Sequence, residues 1–259
     1  MTAKPKLDAA GVVVRLGDAL IVDGAALDLR AGELTVLIGP NGAGKTTLMR
    51  ALAGLIPAEG RIDIDGRSLS ALTIRERARR IAYLPQGHVF HWPMPVADVV
   101  ALGRYPHADA FSMPTDDDRH AVKKALAATG TETFANRPVT TLSGGERARV
   151  ALARALACEA PILLADEPTV SLDPRHQLVV MELLARAAHD GGAVLAIGHD
   201  LALAARFADR IVIMDRGRLV ADGKPRDVLT AERIASVFGV EAVMTDDAIG
   251  PHPILLRPL

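Results

Sequence analysis

Cysteine is nearly missing from this chain: Cys158 is the only one in 259 residues. That rules out an internal disulfide and fits a reducing compartment. A lone thiol in an apolar helical stretch reads as a small buried side chain. Net charge is all but absent as well, at −1, so no global field draws nucleic acid or an anionic bilayer, and any membrane contact has to be local. Long apolar runs are lacking too. The longest stretch without Asp, Glu, Lys or Arg, residues 81–97, holds Pro85, Pro93 and Pro95 and two histidines, whereas a spanning helix wants about 20 mostly apolar residues. The N-terminal Met1-Thr-Ala-Lys-Pro-Lys-Leu-Asp8 has no apolar core of signal-peptide length. The expectation is a cytoplasmic protein that serves any membrane process through a partner. No internal repeat or low-complexity tract is present, and the length suits one large domain or a core with a sizeable insertion.

What is present is organised around Gly39, Pro40, Asn41, Gly42, Ala43, Gly44, Lys45, Thr46 and Thr47, which follow the apolar run Leu34-Thr-Val-Leu-Ile38 and precede the helical pattern Leu48-Met-Arg-Ala-Leu52. Strand, glycine loop, helix is the order that wraps a phosphate chain in backbone N–H groups and adds the partial positive charge of a helix N-terminus. Gly39 and Gly44 let the backbone turn, Lys45 can reach β- and γ-phosphates, and the Thr46 hydroxyl can ligate Mg²⁺.

Upstream, residues 11–38 alternate and then run apolar, with Asp23-Gly24 and Ala31-Gly32 as turn signals, and Arg61-Ile-Asp-Ile-Asp-Gly66 gives a further strand. Residues 72–80 read as a helix whose cluster Arg75-Glu-Arg-Ala-Arg-Arg80 is a solvated face rather than a nucleic-acid patch, because an acid interrupts it. Ile81-Ala-Tyr-Leu-Pro-Gln86 is a strand stopped by proline, which puts Gln86 at a strand end, where ligand contacts collect in open α/β sheets.

From residue 88 to 158 the pattern holds no convincing strand, and helices are expected over 96–102, 117–129 and 145–157. Strand Pro161-Ile-Leu-Leu-Ala-Asp-Glu167 brings back an α/β core, followed by helix 174–189, strand 193–197, helix 201–207, strand 210–214 and a short helical tail with a last extended segment. Strands alternating with helices imply βαβ units and a largely parallel sheet, here with an inserted helical subdomain.

A phosphate loop needs a carboxylate to help hold Mg²⁺, and hydrolysis needs a group that orients or deprotonates water. Asp166 closes an apolar strand and suits the first task; Glu167 suits the second, as general base. His199 follows another buried strand and a glycine and reads as a γ-phosphate contact. Leu142-Ser-Gly-Gly-Glu146 opens a helix, with Ser143 and Glu146 spaced as a capping box. It also reads as a second phosphate-binding helix start, about a hundred residues downstream of the first. One chain rarely needs two such sites for one triphosphate, which suggests that another copy uses the second.

With these residues in place, the chain resembles the nucleotide-binding subunits of ABC transporters over residues 11–240. The likeness rests on the Walker A loop 39–47, the Q-loop Gln86, the signature Leu142, Ser143, Gly144, Gly145 and Glu146, the Walker B strand 162–166 with Glu167, the D-loop Ser171-Leu-Asp173 and the switch His199. The resemblance implies an α/β fold: a RecA-like P-loop NTPase core with a mainly parallel sheet, an N-terminal antiparallel β portion and an inserted α-helical subdomain. Its division would be a single ABC ATPase domain over 8–244, with core 8–87 and 159–244, helical subdomain 88–158 and a C-terminal extension 245–259. It implies a head-to-tail homodimer enclosing two ATP between Walker A of one subunit and Ser143 to Gly145 of the other. Catalysis would fall to Glu167 and His199, and Mg²⁺ to Thr46, Gln86 and Asp166, with Gln86 also counted among the nucleotide contacts.

Ile81-Ala-Tyr-Leu-Pro-Gln86 and Val99-Val-Ala-Leu-Gly-Arg-Tyr-Pro-His107 look like the importers of iron-siderophore, haem and cobalamin. That implies two membrane permease subunits, a periplasmic substrate-binding protein met indirectly, no nucleic-acid partner, and a peripheral place on the cytoplasmic face of the inner membrane. Transport of another cargo such as zinc or manganese is the alternative, and a soluble ABC ATPase is a lesser one, since those usually fuse two cassettes or carry long coiled-coil insertions. In such importers a groove beside the Q-loop receives a helix of the permease. Here that groove would involve Gly87-His-Val-Phe-His-Trp-Pro-Met-Pro95, which suits a partner surface and equally an ordinary proline-stiffened loop. His88 and His91 have ligand-like spacing but no further Cys, His or carboxylate nearby to complete a metal site. One departure stands out. The family usually stacks adenine on an aromatic near the start of the chain, and here that position is Leu16.

Overall fold

Leu34, Val36 and Ile38 face one side of their strand and Leu37 the other, and both sides are buried. A strand of that kind belongs in the middle of a sheet covered on both faces. The computed structural model of the protein describes residues 6–87, 90–108, 113–247 and 250–259; residues 1–5 of the N-terminal reading, and His88 of the histidine pair, lie outside the described residues.

The chain opens with β1 (Leu7–Leu16), β2 (Ala19–Leu29) and β3 (Glu33–Ile38), then α1 (Lys45–Leu52), β4 (Glu59–Ile64), β5 (Arg67–Ser68), the short α2 (Ile74–Ala78) and β6 (Ile81–Leu84). Helices α3 (Val96–Ala101), α4 (Asp116–Thr129) and α5 (Gly144–Ala157) follow. The core resumes with β7 (Ile162–Ala165), α6 (Pro174–His189), β8 (Ala193–Ile197), α7 (Leu201–Phe207), β9 (Arg210–Asp215) and β10 (Arg218–Gly223). The described chain ends with α8 (Pro225–Val228), α9 (Ala231–Phe238) and the hairpin β11 (Val240–Asp247) and β12 (Gly250–Pro258).

Among the described residues the central sheet has the order β10-β9-β3-β8-β7-β6, parallel throughout except for β10. A second, antiparallel sheet, β2-β1-β4-β5, stands beside it. Alternation along the central strands splits the core in two. Leu37, Leu164, Leu195 and Val212 pack with α1 and the antiparallel sheet; Val36, Leu163, Val194 and Ile211 pack with α5, α6 and α7. Each such side chain contributes roughly 1.5–3 kcal/mol when fully buried. The parallel strands therefore end together, and the loops that follow β3, β6, β7 and β8 share one edge.

The helical lobe has its own core of Val96, Val100, Leu126, Phe134, Leu142 and Val150. Its helices are marked in sequence: Thr115 and Asp118 form a capping box for α4, and Gly130 ends it in the left-handed conformation. Arg104 fastens the lobe. Its guanidinium reaches Asp118 at 2.9 Å, Glu159 at 2.8 Å and the Ala157 carbonyl at the end of α5 at 2.9 Å.

Three local expectations change. Asp23-Gly24 is not a turn: β2 runs through it, and the pairing with β1 shifts there, with Gly24 at φ +69°. The turn lies at Gly17-Asp18 instead, since a left-handed glycine serves a bulge as well as a turn. The arginines of residues 75–80 are not simply solvated, because Arg77 donates to the Gly54 carbonyl, Arg79 to Pro106 and Arg80 to Glu76. The last extended segment is a two-stranded hairpin, and the boundary expected between 244 and 245 falls inside β11.

Candidate functional site

The site begins where β3 runs out. A Cβ at Gly39 would stand 2.0 Å from the Met214 carbonyl oxygen, and one at Gly44, which sits at φ +101°, would stand 2.7 Å from the Ile21 carbonyl oxygen. Both positions need glycine because the loop is pressed against two neighbouring backbones. Gly44 is the N-cap of α1 and offers no side-chain acceptor, so the first N–H groups of that helix have no side-chain cap. Lys45 folds back across the loop, and its Nζ donates to the carbonyls of Gly39 at 2.7 Å and Pro40 at 2.9 Å. Burial pushes the Lys45 ammonium below its ordinary pKa, while the charges of Glu167 and Asp166 oppose the shift. The result is a positive charge beside a helix start without a side-chain cap, an arrangement that suits a polyanion.

Residues from three strand ends meet above this loop. Asp166, fully buried after β7, accepts from the Thr46 hydroxyl at 3.0 Å on one oxygen and from the Tyr83 hydroxyl at 2.8 Å on the other. Burial and the Asp166 carboxylate push the Tyr83 phenol up to about 12, so it stays a donor. Glu167 is in the left-handed region at φ +48°, a strained place for a glutamate that costs of order 1–3 kcal/mol. Its carboxylate is held on both sides. Gln86 Nε2 donates to Oε2 at 2.6 Å, and His199 Nε2 lies 2.6 Å from Oε1.

The structure thus brings together two sets from the expected site, Thr46 with Asp166 and Gln86 with Glu167 and His199. Oxygen donors at Thr46 and Asp166 are the hard ligands that a magnesium ion takes. Gln86 is directed to Glu167, and not to the Thr46–Asp166 pair with which it was grouped as a metal contact.

Leu142, Ser143, Gly144, Gly145 and Glu146 belong to the other lobe. Leu142 is buried in its core, Ser143 Oγ accepts from Glu146 N at 3.3 Å, and Glu146 Oε2 accepts from Ser143 N at 2.8 Å. The Ser143 backbone N–H holds the Glu146 carboxyl below its usual range. The capping box is therefore real, and Gly144 beside it faces open space. Tyr83 was missed by sequence reasoning. Period-two alternation puts it on the Ile81 face, but only the pairing of β6 with β7 brings that face to Asp166.

Comparison with known proteins gives the family of the chain. Residues 22–170 match the family model described as ABC transporter. The chain is 45% identical to a hemin import ATP-binding protein of Streptomyces coelicolor, over 95% of this chain and 85% of that one. It is 46% identical to a cobalamin import ATP-binding protein of Halobacterium salinarum, over 97% of this chain and 64% of that one. Among solved structures it is similar to a dimeric ATP-binding cassette in a post-hydrolysis state bound to ADP and Pi, with a TM-score of 0.73, 29% identity, and coverage of 85% of this chain and 99% of that one.

Proposed function

The chain belongs to the ABC transporter family as an ATP-hydrolysing subunit, and from that membership we propose that it works as a head-to-tail dimer driving import of a metal chelate of haem or cobalamin type. Core 8–87 and 159–244 would bind ATP, and the helical lobe within 88–158 would present Ser143 to Gly145 to the ATP of the other copy. The observation that carries this reading is the Glu167 carboxylate, poised between Gln86 and His199 at the strand ends beside the phosphate loop.

In this reading the loop 39–47 and the start of α1 bind the phosphates, and Lys45 leaves its carbonyl partners for the β- and γ-oxygens. Thr46 and Asp166 would hold Mg²⁺, which when bound neutralises charge on the phosphates, and Gln86 would join them only by giving up the Glu167 oxygen it holds. Glu167 accepts the proton of the attacking water, and His199 steadies the γ-phosphate and the carboxylate beside it. The exposed start of α5 supplies the closing wall in trans, so that ATP joins two copies and its loss parts them.

Both relatives are named as import proteins, one for hemin and one for cobalamin, which supports a permease pair as partner. A periplasmic binding protein would meet the permease and not this subunit. In this reading the chain docks on the permease from the cytoplasmic face of the membrane; no helix among the described residues is long and apolar enough to cross it. The decisive experiment is reconstitution with the permease in liposomes. ATP-dependent uptake of haem or cobalamin is expected, and uptake of free zinc or manganese instead would overturn the cargo class.

A further inference from the structure

His176 lies outside every motif read from the sequence, yet its imidazole is set against the start of α5. A Cβ built on Gly145 would stand 2.1 Å from Cδ2, 2.3 Å from Cγ and 2.6 Å from Nε2 of His176. Gly145 has ordinary helical backbone and is buried, so it is glycine for room and not for conformation. Gly144, one residue earlier, meets nothing within 4 Å. The two glycines of this helix start therefore answer different needs: one leaves space outward, the other admits a ring from the opposite lobe.

That ring is fixed from its own side. Asp173 is the N-cap of α6, and its Oδ1 accepts from the His176 backbone N–H at 2.9 Å. His176 Nδ1 lies 2.9 Å from each of the two Asp173 oxygens. The backbone N–H first, and the imidazole second, hold the Asp173 carboxyl below its usual range. From Asp173 the chain runs back to Glu167 through consecutive turns, Leu172 N to Thr169 O at 3.3 Å and Val170 N to Glu167 O at 3.2 Å, with Ser171 in the left-handed region. These two turn hydrogen bonds brace the loop between the base and the ring.

We infer that His176 is a positioning residue that couples the Ser143–Gly145 helix start on the helical lobe to the loop carrying Glu167 on the core. The inference rests on the proposed roles of Glu167 and Ser143. A displacement of α5 toward the core presses Gly145 on the ring, the ring carries Asp173, and the turns pass the shift to Glu167. The same contact sets how far the exposed start of α5 stands from the core, and so where it meets the other copy. Packing transmits such shifts because a close-packed contact cannot be compressed without moving its partner.

The test is a double-mutant cycle in the subunit assembled with its permease, reading kcat and KM for ATP. His176→Ala and Gly145→Ala are each expected to lower kcat about tenfold with KM for ATP within about twofold of the unaltered chain, since contact pairs couple at this scale. The double variant is expected to lose less than the product of the two, because the new methyl enters the space the ring has left. Simple multiplication of the two losses, or a fall expressed in KM alone, overturns the coupling. His176→Asn guards against a variant that fails to fold: it keeps a short donor for Asp173 without a ring against Gly145, and it should lose kcat as the alanine variant does. Full activity of His176→Asn would mean that the cap alone matters and would sink the inference. Glu167→Gln separates this from failure of the underlying reading. If that variant still turns over, the reading fails whatever His176 does; if it is dead while the His176 variants match the unaltered chain, only the coupling fails.

Discussion

His199 Nε2 and Glu167 Oε1 are 2.6 Å apart, and Gln86 occupies the other oxygen of the same carboxylate at the same distance. A carboxylate engaged on both oxygens is well placed but not free. Glu167→Gln keeps the shape and removes the base, so kcat should fall by about 10²–10⁴. Because the phosphate contacts survive, the variant should accumulate as an ATP-loaded dimer, seen as a shift in size-exclusion elution on adding ATP. Persisting hydrolysis would refute the role given to Glu167.

Asp166 is fully buried, with Thr46 on one oxygen and Tyr83 on the other. Tyr83→Phe removes a single hydroxyl and leaves a buried carboxylate oxygen without its donor, which costs about 1–3 kcal/mol. Urea unfolding should report that loss. KM for Mg-ATP should rise as the carboxylate loses its fixed position; an unchanged KM with lowered stability would make Tyr83 structural only.

What the sequence disclosed and what it hid divide along a physical line. The placement of Gly39, Asp166 and Glu167 was legible because each follows the end of an apolar strand, and that of Lys45 because it opens the helix after the glycine loop; apolar runs of that kind have only one place in an α/β sheet. The contacts of Tyr83 and His176 were not legible. Each depends on which elements become neighbours, β6 beside β7 and the start of α6 beside the start of α5, and no local pattern encodes that. Asp23-Gly24 misled because its dipeptide is a turn signal wherever it occurs, while pairing with β1 overrode it.

Arg104 is 8% exposed and joins Asp118, Glu159 and the last turn of α5. Arg104→Ala removes the partner of the half-buried Asp118 and should destabilise the protein by about 1–3 kcal/mol, less than breaking a fully buried ion pair. The guanidinium first, and the Thr115 cap second, bring the Asp118 carboxyl down to about 2. Since its unfolded value is about 3.9, the folded state binds fewer protons than the unfolded one between about pH 2 and pH 4. The stabilisation is then complete above pH 4 and disappears as pH falls toward 2. Acid titration followed by circular dichroism should show Arg104→Met unfolding at a higher pH than the unaltered chain. Coincident acid transitions would remove the pair from the account.

Leu16 ends β1, opposite Ala19, with 53% of its surface exposed. An exposed leucine at a strand end beside the tight turn Gly17-Asp18 has no core to serve, which fits a side chain kept for contact with a base. An aliphatic side chain covers a ring face by dispersion alone, whereas an aromatic adds stacking worth about 1–3 kcal/mol per base. Position 16 is already extended and open, so Leu16→Tyr needs no backbone change and disturbs no packed neighbour. ATP should therefore bind the variant about tenfold more tightly, since 1.4 kcal/mol is a factor of ten, and a calorimetric titration with ATP and with GTP would show whether the gain follows the base. An affinity for ATP that does not move with the tyrosine would mean that adenine does not lie over this strand end.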